Sequence, residues 1–255
     1  SAAKFDQNYN SQYSYIANVG YPMGMMYGFI YEGTYKYEDF DKVGDTYTLK
    51  RNVPYFSSES NTQPGMPKYA DLNGDGIIDD NDRTMIGNGM PKHTGGFTNN
   101  FEYKGFDLSI FFQWSYGNDV LNANRLFFEN SNKTRDLNQY ASYADRWTPE
   151  NPESNIPRAT DSGSNKVFST RIIEDGSFLR LKTVSLGYTL PKQLTKKWKI
   201  DNARVFVAGQ NLWTCTGYSG YDPEVSIREG ALTPGLDFSA YPRAYSISFG
   251  INLGF

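Results

Sequence analysis

Five carboxylates and two asparagines crowd one short segment, residues 71–82, which reads DLNGDGIIDDND. A hard cation such as Ca2+ binds about 6–8 oxygen atoms, and a glycine at the sixth position of such a loop allows the sharp turn that gathers them. The spacing matches the calcium-loop template, in which the seventh residue offers its backbone carbonyl. We therefore predict a structural Ca2+ on Asp71, Asn73, Asp75, Ile77, Asp79 and Asp82. The alternative is a metal-free polar loop held by Asx turns.

The rest of the sequence offers little catalytic chemistry. His93 is the single histidine, no Ser/His/Asp pattern surrounds it, and no two carboxylates have a spacing typical of glycoside hydrolysis. We therefore predict that the chain is not an enzyme. Aromatic side chains can stack on sugar rings, and the candidates for substrate contact are Trp213, Tyr218 and Tyr221, with local packing as the alternative. The net charge of -3 gives no basic field for nucleic acid.

The elements that would position these residues are long, two-sided strands. From Phe106 to Gly117, alternate residues are apolar or aromatic and most of the others are small or polar, which is the period of a β-strand. Lys104 and Gly105 precede this segment and predict a two-residue hairpin turn. Six long strands are predicted: Met25 to Tyr35, Gly95 to Tyr103, Phe106 to Gly117, Ser177 to Leu190, Ala203 to Trp213 and Arg243 to Phe255.

The lengths of the strands and of their connections favour a membrane barrel. About 9–11 residues cross a bilayer, whereas strands of about 5–6 residues are typical of a soluble sandwich, which is the alternative. Two shorter connections alternate with long polar segments at 36–94, 118–176 and 214–242, the layout of an outer-membrane barrel. Helical spacing within 118–130 and 134–147 predicts short helices in the second long segment.

Five segments, in this order, resemble one family: KYADLNGDGIIDDNDRTMIGN, GGFTNNFEYKGFDLSIFFQWSYGNDVLNANR, RWTPENP, SFLRLKTVSLGYTLP and QNLWTCTGYSGYDPEV. From about Tyr21 onward, the chain resembles the carboxy-terminal part of SusC/RagA-type TonB-dependent transporters of Bacteroidetes outer membranes. The predicted fold class is therefore all-β, an antiparallel transmembrane β-barrel segment with long extracellular loops that contain short helices.

The resemblance implies several properties of a larger assembly. It implies a barrel of about 22 strands, of which about six belong to this chain. Residues 1–255 would form a single carboxy-terminal segment, with the plug domain and the amino-terminal strands absent from it. Such proteins import oligosaccharides or peptides across the outer membrane of Gram-negative bacteria, under a SusD-like lipoprotein lid and with energy delivered through TonB. The alternative function is a soluble, calcium-bound, glycan-binding β-domain.

The alternation also predicts the topology. The apolar set that includes Leu108 should face lipid, and the adjacent residues Asp107 and Ser109 should face the barrel interior. The segment from Tyr245 to Leu253 should pair with that from Ala203 to Trp213. Both sheet edges should pair with strands from outside this chain, because unpaired backbone groups in lipid cost several kcal/mol each. The resemblance places the shorter connections and the carboxy terminus in the periplasm and the acidic loop outside the cell.

Overall fold

The computed structural model describes residues 3–6, 13–129, 138–160, 167–227 and 230–255. The strands, in chain order, are β1 (Ala3–Asp6), β2 (Tyr13–Ala17), β3 (Met25–Gly28), β4 (Tyr31–Thr34), β5 (Phe40–Val43), β6 (Thr46–Leu49), β7 (Tyr55–Phe56), β8 (Pro67–Tyr69), β9 (Ile77–Ile78), β10 (Thr84–Asn88), β11 (His93–Tyr103), β12 (Phe106–Tyr116), β13 (Asp119–Asn122), β14 (Ile173–Asp175), β15 (Phe178–Thr189), β16 (Asn202–Thr216), β17 (Leu236–Asp237) and β18 (Ser246–Gly254). The α-helices are α1 (Arg125–Phe128) and α2 (Lys192–Thr195). Turns of 3₁₀ helix lie at Tyr37–Asp39, Glu59–Asn61, Asp80–Asp82, Ala141–Asp145, Thr170–Ile172 and Lys196–Trp198.

The chain divides into two compact units, which we name by their content. The loop unit consists of Ser1–Met90, Asp119–Glu174 and Ser226–Ala240. The sheet unit consists of Pro91–Asn118, Asp175–Val225 and Tyr241–Phe255.

The sheet unit is built on one antiparallel sheet in the order β11, β12, β15, β16, β18. These strands are 9 to 15 residues long, and about 9–11 tilted residues suffice to cross a bilayer. β18 pairs with β16 from Gly254 opposite Asn202 to Ser246 opposite Gln210, as the alternation predicted. Five of the predicted long strands are therefore confirmed, and β11 and β18 form the two edges of this sheet.

The connection between β11 and β12 is the predicted two-residue turn. Lys104 and Gly105 have φ angles of 47° and 88°, and a type I′ turn requires positive φ at both central residues. Glycine is also required by space, because a Cβ at position 105 would lie 2.9 Å from the Thr189 carbonyl oxygen. The turn fixes a register that runs unbroken from Tyr103 opposite Phe106 to His93 opposite Tyr116.

The loop unit consists of small sheets around three buried apolar clusters. Its sheets are β1–β2–β3–β10, β14–β13–β17 and the pairs β4–β8, β5–β6 and β7–β9. The largest cluster contains Tyr15, Met26, Leu121, Ala123, Leu126, Phe168, Ile172 and Leu236. The other two contain Phe29, Tyr69, Ile78 and Val167, and Tyr35, Phe40 and Leu49. Among the described residues, none of these clusters includes a member of the sheet unit.

The prediction of one long strand from Met25 to Tyr35 is wrong. This segment forms two short strands, β3 and β4, in different sheets of the loop unit. Between them Phe29 leaves the sheet, and its N–H donates to the Phe168 carbonyl at 3.0 Å. Residues 26–29 are buried in succession rather than alternately, so both sides of the segment pack against protein. The apolar residues that suggested a lipid face therefore belong to a buried core.

The predicted helices between 118 and 147 are present in part. α1 and the 3₁₀ turn at Ala141–Asp145 lie in this range. Asp119–Asn122, within the first predicted helical segment, forms strand β13 instead, because Leu121 and Asn122 pair with Leu236 and Asp237. Residues 130–137, which include the start of the second predicted helix, lie outside the described residues. Of the helices in the described ranges, none is long and apolar enough to cross a membrane.

Candidate functional site

One face of the five-stranded sheet is an apolar band. The row that contains Leu108 crosses all five strands through Phe101, Leu108, Leu186, Val207 and Phe249. Asp107 and Ser109 lie on the opposite face, as predicted. The band is exposed, and Phe249 keeps 82% of its surface accessible. Burial of apolar surface is worth about 25 cal/mol per Å², so a band of this extent favours an apolar surrounding such as lipid.

Aromatic rings bound the apolar band at both ends. Near the Lys104–Gly105 turn, Tyr103, Phe106 and Tyr188 form one row. At the other end of β12, His93 stacks on Tyr116 with ring centroids 5.0 Å apart. Phe106 and Tyr116 are ten residues apart, roughly 34 Å along a strand and roughly 26 Å vertically at a tilt of about 40°. That span matches the band of about 25 Å, flanked by aromatic girdles, of outer-membrane barrels.

The opposite face carries ionic groups and small residues. Arg204 on β16 reaches across β15 and pairs with Asp107 on β12, with Nε donating to Oδ1 at 2.9 Å. Gly187 on the intervening strand leaves room for this pair, because a Cβ there would lie 2.3 Å from Nη2 of Arg204. Ser109 and Ser185 share the next row. Such a face suits a water-filled or protein-filled interior and would be costly against lipid.

A second ionic cluster lies on this polar face, where Arg180 is in register with Gln113. Arg180 is 3% exposed, and its Nη2 donates to Asp222 Oδ1 at 2.6 Å. Its Nη1 forms an ion pair with Glu224 Oε2 at 2.8 Å, but the geometry of this contact is not that of a hydrogen bond. Nε donates to Thr214 at 3.0 Å. The cluster attaches the segment after β16 to the polar face of the sheet.

Asp222 is ionised in this cluster. Burial acts to raise the pKa of its carboxyl, but the hydrogen bonds from the Arg180 side chain and from the backbone N–H groups of Glu224 and Arg243 outweigh burial, so the pKa is lowered. Removal of one partner from a buried ion pair leaves an uncompensated charge and costs about 3–5 kcal/mol. The sequence signal for this cluster is Arg180 and Lys182 within the otherwise alternating segment FLRLKTV.

The loop unit has its own buried ionic cluster, which sequence reasoning missed. Glu129 is buried, and its Oε1 accepts hydrogen bonds from Arg125 and from Ser142, both at 2.6 Å. Its Oε2 accepts from Arg171 at 2.8 Å. Arg125 also donates to Glu174 at 2.7 Å. Only the spacing of Arg125 and Glu129, four residues apart, was visible in the sequence.

The acidic loop folds around hydrogen bonds from its own backbone. Asp71 accepts from the N–H groups of Gly74 and Gly76 at 2.7 and 2.8 Å. Asp75 accepts from Ile77 N–H at 2.8 Å. Gly76 has a φ of 84°, so the glycine at the sixth position makes the sharp turn that the template requires. The Asx-turn alternative and the calcium template therefore describe overlapping parts of the same loop.

Asp82, at position twelve of the loop, is more deeply buried than the other carboxylates of the loop. Asp82 is fully buried, and its two oxygens accept from the N–H groups of Leu72, Asn73 and Asp79 at 2.9, 3.3 and 2.8 Å. No group of three or more His, Cys, Asp or Glu in the described ranges has an arrangement that could hold a metal ion. The predicted ligand set also includes the Asn73 side chain and the Ile77 carbonyl, and Ca2+ binds amide and backbone carbonyl oxygens as well as carboxylates. The residue types of the predicted set therefore fit a cation. Calcium at this loop stays a prediction.

The three aromatic candidates for substrate contact occupy different environments. Trp213 pairs with Leu181, which pairs with Phe112, so it lies on the apolar face of the sheet. Tyr218 is buried, whereas Tyr221 is 89% exposed. Substrate contact by these residues stays a prediction.

A cleft with a volume of about 430 Å³ opens in the loop unit. Residues that line it include Tyr37, Asp45, Tyr47, Gln63, Trp147 and Arg158. The Tyr37 ring centroid lies 5.2 Å from that of Tyr47 and 5.6 Å from that of Trp147. Arg158 donates to Gln63 at 3.1 Å. Aromatic walls with a few convergent polar groups are typical of ligand pockets, and the sequence separation of these residues hid the cleft from sequence reasoning.

The chain has relatives among curated proteins, although no protein-family model matches it. It is 34% identical over 247 residues to TonB-dependent receptor P3 of Formosa agariphila, which covers 94% of this chain and 23% of that protein. It is 28% identical over 198 residues to TonB-dependent receptor SusC of Bacteroides thetaiotaomicron, with coverage of 77% and 18%. The chain thus spans about a quarter or less of the length of the curated relatives it matches.

Solved structures of transporters are also similar to this chain. The RagAB peptide transporter matches all of this chain and 24% of its own, with a TM-score of 0.73 and 25% identity. The RagAB peptide importer in the 'closed-closed' state matches 95% of this chain, with a TM-score of 0.69 and 27% identity. Fold and relatives together define a segment of an outer-membrane TonB-dependent receptor barrel. The chain belongs to the SusC/RagA-type TonB-dependent transporters, as its motifs predicted.

Proposed function

We propose that this chain is part of an active importer of oligosaccharides or peptides in the outer membrane of a Gram-negative bacterium. The observation that carries the proposal is the five-stranded sheet, apolar and aromatic on one face and ionic on the other. The relatives are named as receptors and importers, which supports transport rather than catalysis. The soluble glycan-binding alternative would bury the face of Phe106 and Leu108 against a second sheet, and the described part of the sheet unit contains one sheet.

The proposed importer works with partners outside this chain. A SusD-like surface lipoprotein would cover the extracellular side, the plug domain and the remaining strands would complete the barrel, and TonB would supply energy. The family membership of the chain supports each of these partners. In this arrangement the Lys104–Gly105 turn and the carboxy terminus face the periplasm, and the acidic loop faces the outside.

The test is uptake by cells that carry the full-length gene. Depletion of a mixed pool of oligosaccharides and peptides from the medium would be followed by mass spectrometry in three strains: intact, deleted for this gene, and deleted for TonB. We expect one substrate class to be depleted by the intact strain alone. Equal depletion by all three strains would contradict the proposal.

The cleft of the loop unit is the proposed point of substrate contact. Its closely spaced rings and the Arg158–Gln63 pair offer both apolar and hydrogen-bonding contacts. Tyr37→Ala in the full-length protein should slow uptake several-fold, whereas Tyr241→Ala, at an exposed ring of the sheet unit, should leave it unchanged. In the described part of the chain, neither residue belongs to a buried cluster or packs against one, so equal rates in both variants would contradict a role of the cleft in transport.

We propose in addition that the acidic loop binds a structural Ca2+. Charge supports this proposal, because Asp71, Asp75 and Asp79 concentrate negative charge on one turn. Calorimetric titration of the full-length protein with CaCl2 should reveal a site that Asp75→Asn abolishes and Asp45→Asn retains. Calcium removal should also increase protease cleavage within 36–94. Identical titrations of the two variants would contradict the proposal.

A further inference from the structure

The end of the sheet next to the Lys104–Gly105 turn carries a concentrated positive charge. The connection from β15 to β16 contains Lys192, Lys196, Lys197 and Lys199, against a single acid, Asp201. All four lysines are exposed. In the described ranges, none of them pairs with a carboxylate. The chain as a whole has a net charge of -3, so this local excess of positive charge is not a property of the whole sequence.

The connection is folded, and its charges are therefore held in place. α2 is followed by the 3₁₀ turn Lys196–Trp198. Thr195, the last residue of α2, is buried, and its carbonyl accepts from Ile200 N–H at 3.2 Å. The neighbouring turn is attached to the same end of the sheet, because the Thr189 N–H donates to the Gly105 carbonyl at 2.8 Å. Lys104 thus adds a fifth positive charge at this edge.

Apolar and aromatic side chains lie beside these lysines. Trp198 is 66% exposed, and Leu194 is exposed as well. The aromatic row of Tyr103, Phe106 and Tyr188 ends the apolar band at the same end of the sheet, with the Phe106 and Tyr188 ring centroids 4.5 Å apart. Tryptophan and tyrosine prefer the level of the lipid headgroups, and lysines near a membrane extend their ammonium groups into that layer.

We propose that this lysine-rich edge, defined as Lys104, Lys192, Lys196, Lys197 and Lys199, binds the phosphate groups of anionic phospholipids in the adjacent leaflet. The aromatic row sets the depth of the sheet, and the five ammonium groups then lie where headgroup phosphates lie. Basic clusters next to a membrane-spanning segment bind anionic lipid, and each lysine near the surface adds about fivefold to the affinity at low salt. The surface thus selects lipid charge and holds the barrel at a fixed height.

The test measures lipid preference directly. The full-length transporter would be reconstituted in phosphatidylcholine vesicles with trace spin-labelled phosphatidylglycerol or phosphatidylcholine, and the motionally restricted fraction of each gives a relative association constant. Phosphatidylglycerol should be preferred about fivefold or more at low salt. The triple variant Lys192→Gln, Lys196→Gln, Lys197→Gln should lose most of this preference, and Lys→Arg at the same positions should retain it.

Controls separate lipid binding from other causes. Heat-modifiable migration in detergent gels reports whether each variant is folded. Inorganic phosphate at matched ionic strength should not reduce the preference, because a headgroup anchored in the bilayer is recognised together with the aromatic row. A wild-type protein without preference, an unchanged preference in the folded Lys→Gln variant, or displacement by inorganic phosphate would each overturn the proposal. Uptake is not the readout, so failure here leaves the importer proposal standing.

Discussion

The two units of this chain are stabilised in opposite ways. The loop unit buries aromatic and aliphatic side chains in three clusters, with Tyr15, Met26 and Phe168 fully buried. The sheet unit has long, regular strands and exposes its apolar face, so Phe101 and Phe249, at the two ends of the row that contains Leu108, remain exposed. The loop unit therefore gains its free energy of folding from burial within the protein, whereas the sheet unit requires lipid to cover its apolar surface.

The largest expected change in stability is that of the loop unit. Glu129→Ala should lower the free energy of its unfolding by about 3–5 kcal/mol, because the guanidinium groups of Arg125 and Arg171 lose their buried partner. Amide exchange of the full-length protein over 119–129 measures the change. Glu153→Ala is the control, since its exposed carboxylate lies 3.6 Å from Lys36 and such pairs contribute about 0–1 kcal/mol. Equal exchange in both variants would show that the cluster does not hold the unit together.

The next effect distinguishes the two faces of the sheet. Ile110→Arg should destabilise the barrel by about 2–4 kcal/mol, because an arginine near the middle of the membrane has to be removed from water. Ser109→Arg, one residue away on the polar face, should cost much less. Urea unfolding of the full-length protein in lipid vesicles gives both values. A larger cost at Ser109 than at Ile110 would reverse the assignment of the faces.

A smaller effect is expected at the acidic loop. Asp82→Ala removes the acceptor of three backbone N–H groups, and unsatisfied buried donors cost about 1–3 kcal/mol. Asp41→Ala should change little, because the Asp41 side chain is exposed and lies outside this loop. Protease cleavage rates between residues 71 and 83 report the difference in calcium-free buffer. Similar rates for the two variants would contradict a structural role for Asp82.

The smallest effect is a pH dependence in the segment after β16. The pKa of Asp222 is lowered in the folded chain, so its contribution is complete above about pH 4, the usual range of an aspartate, and is lost as the pH falls through the lower folded value. Amide protection of residues 217–225, corrected for intrinsic exchange, should therefore decrease on acidification. Asp222→Asn should have weaker protection at neutral pH and a flatter profile. Parallel profiles in both proteins would assign the pH dependence to another group.

Sequence reasoning succeeded in the sheet unit and failed in much of the loop unit for a physical reason. A long strand with two different surroundings repeats every second residue, so β12, β15 and β18 were visible as patterns. The loop unit is assembled from strands of two to five residues, in which Tyr15, Leu121 and Leu236 meet across more than half of the chain. Such contacts leave no local period, and the buried segment from Met25 to Tyr35 therefore resembled a lipid-facing strand.

The ionic clusters could not be predicted from the sequence for a related reason. Arg180 and Asp222 are 42 residues apart, and Arg204 and Asp107 are 97 residues apart. The sheet register brings Arg204 and Asp107 to one face, and the segment after β16 brings Asp222 to Arg180. Both placements are properties of the folded chain. The acidic loop was visible because its chemistry lies within twelve consecutive residues, 71–82.

The orientation of β12 decides whether the apolar band faces lipid or protein, and lipid quenching distinguishes the two. In a full-length protein in which Cys215 and any other native cysteine are replaced by serine, single cysteines at each position from 106 to 113 would carry a fluorophore, and brominated acyl chains would quench it. Strong quenching is predicted at Phe106, Leu108, Ile110 and Phe112, and weak quenching at Asp107, Ser109, Phe111 and Gln113. Uniform quenching along the strand, or the inverse alternation, would contradict a lipid-facing apolar band.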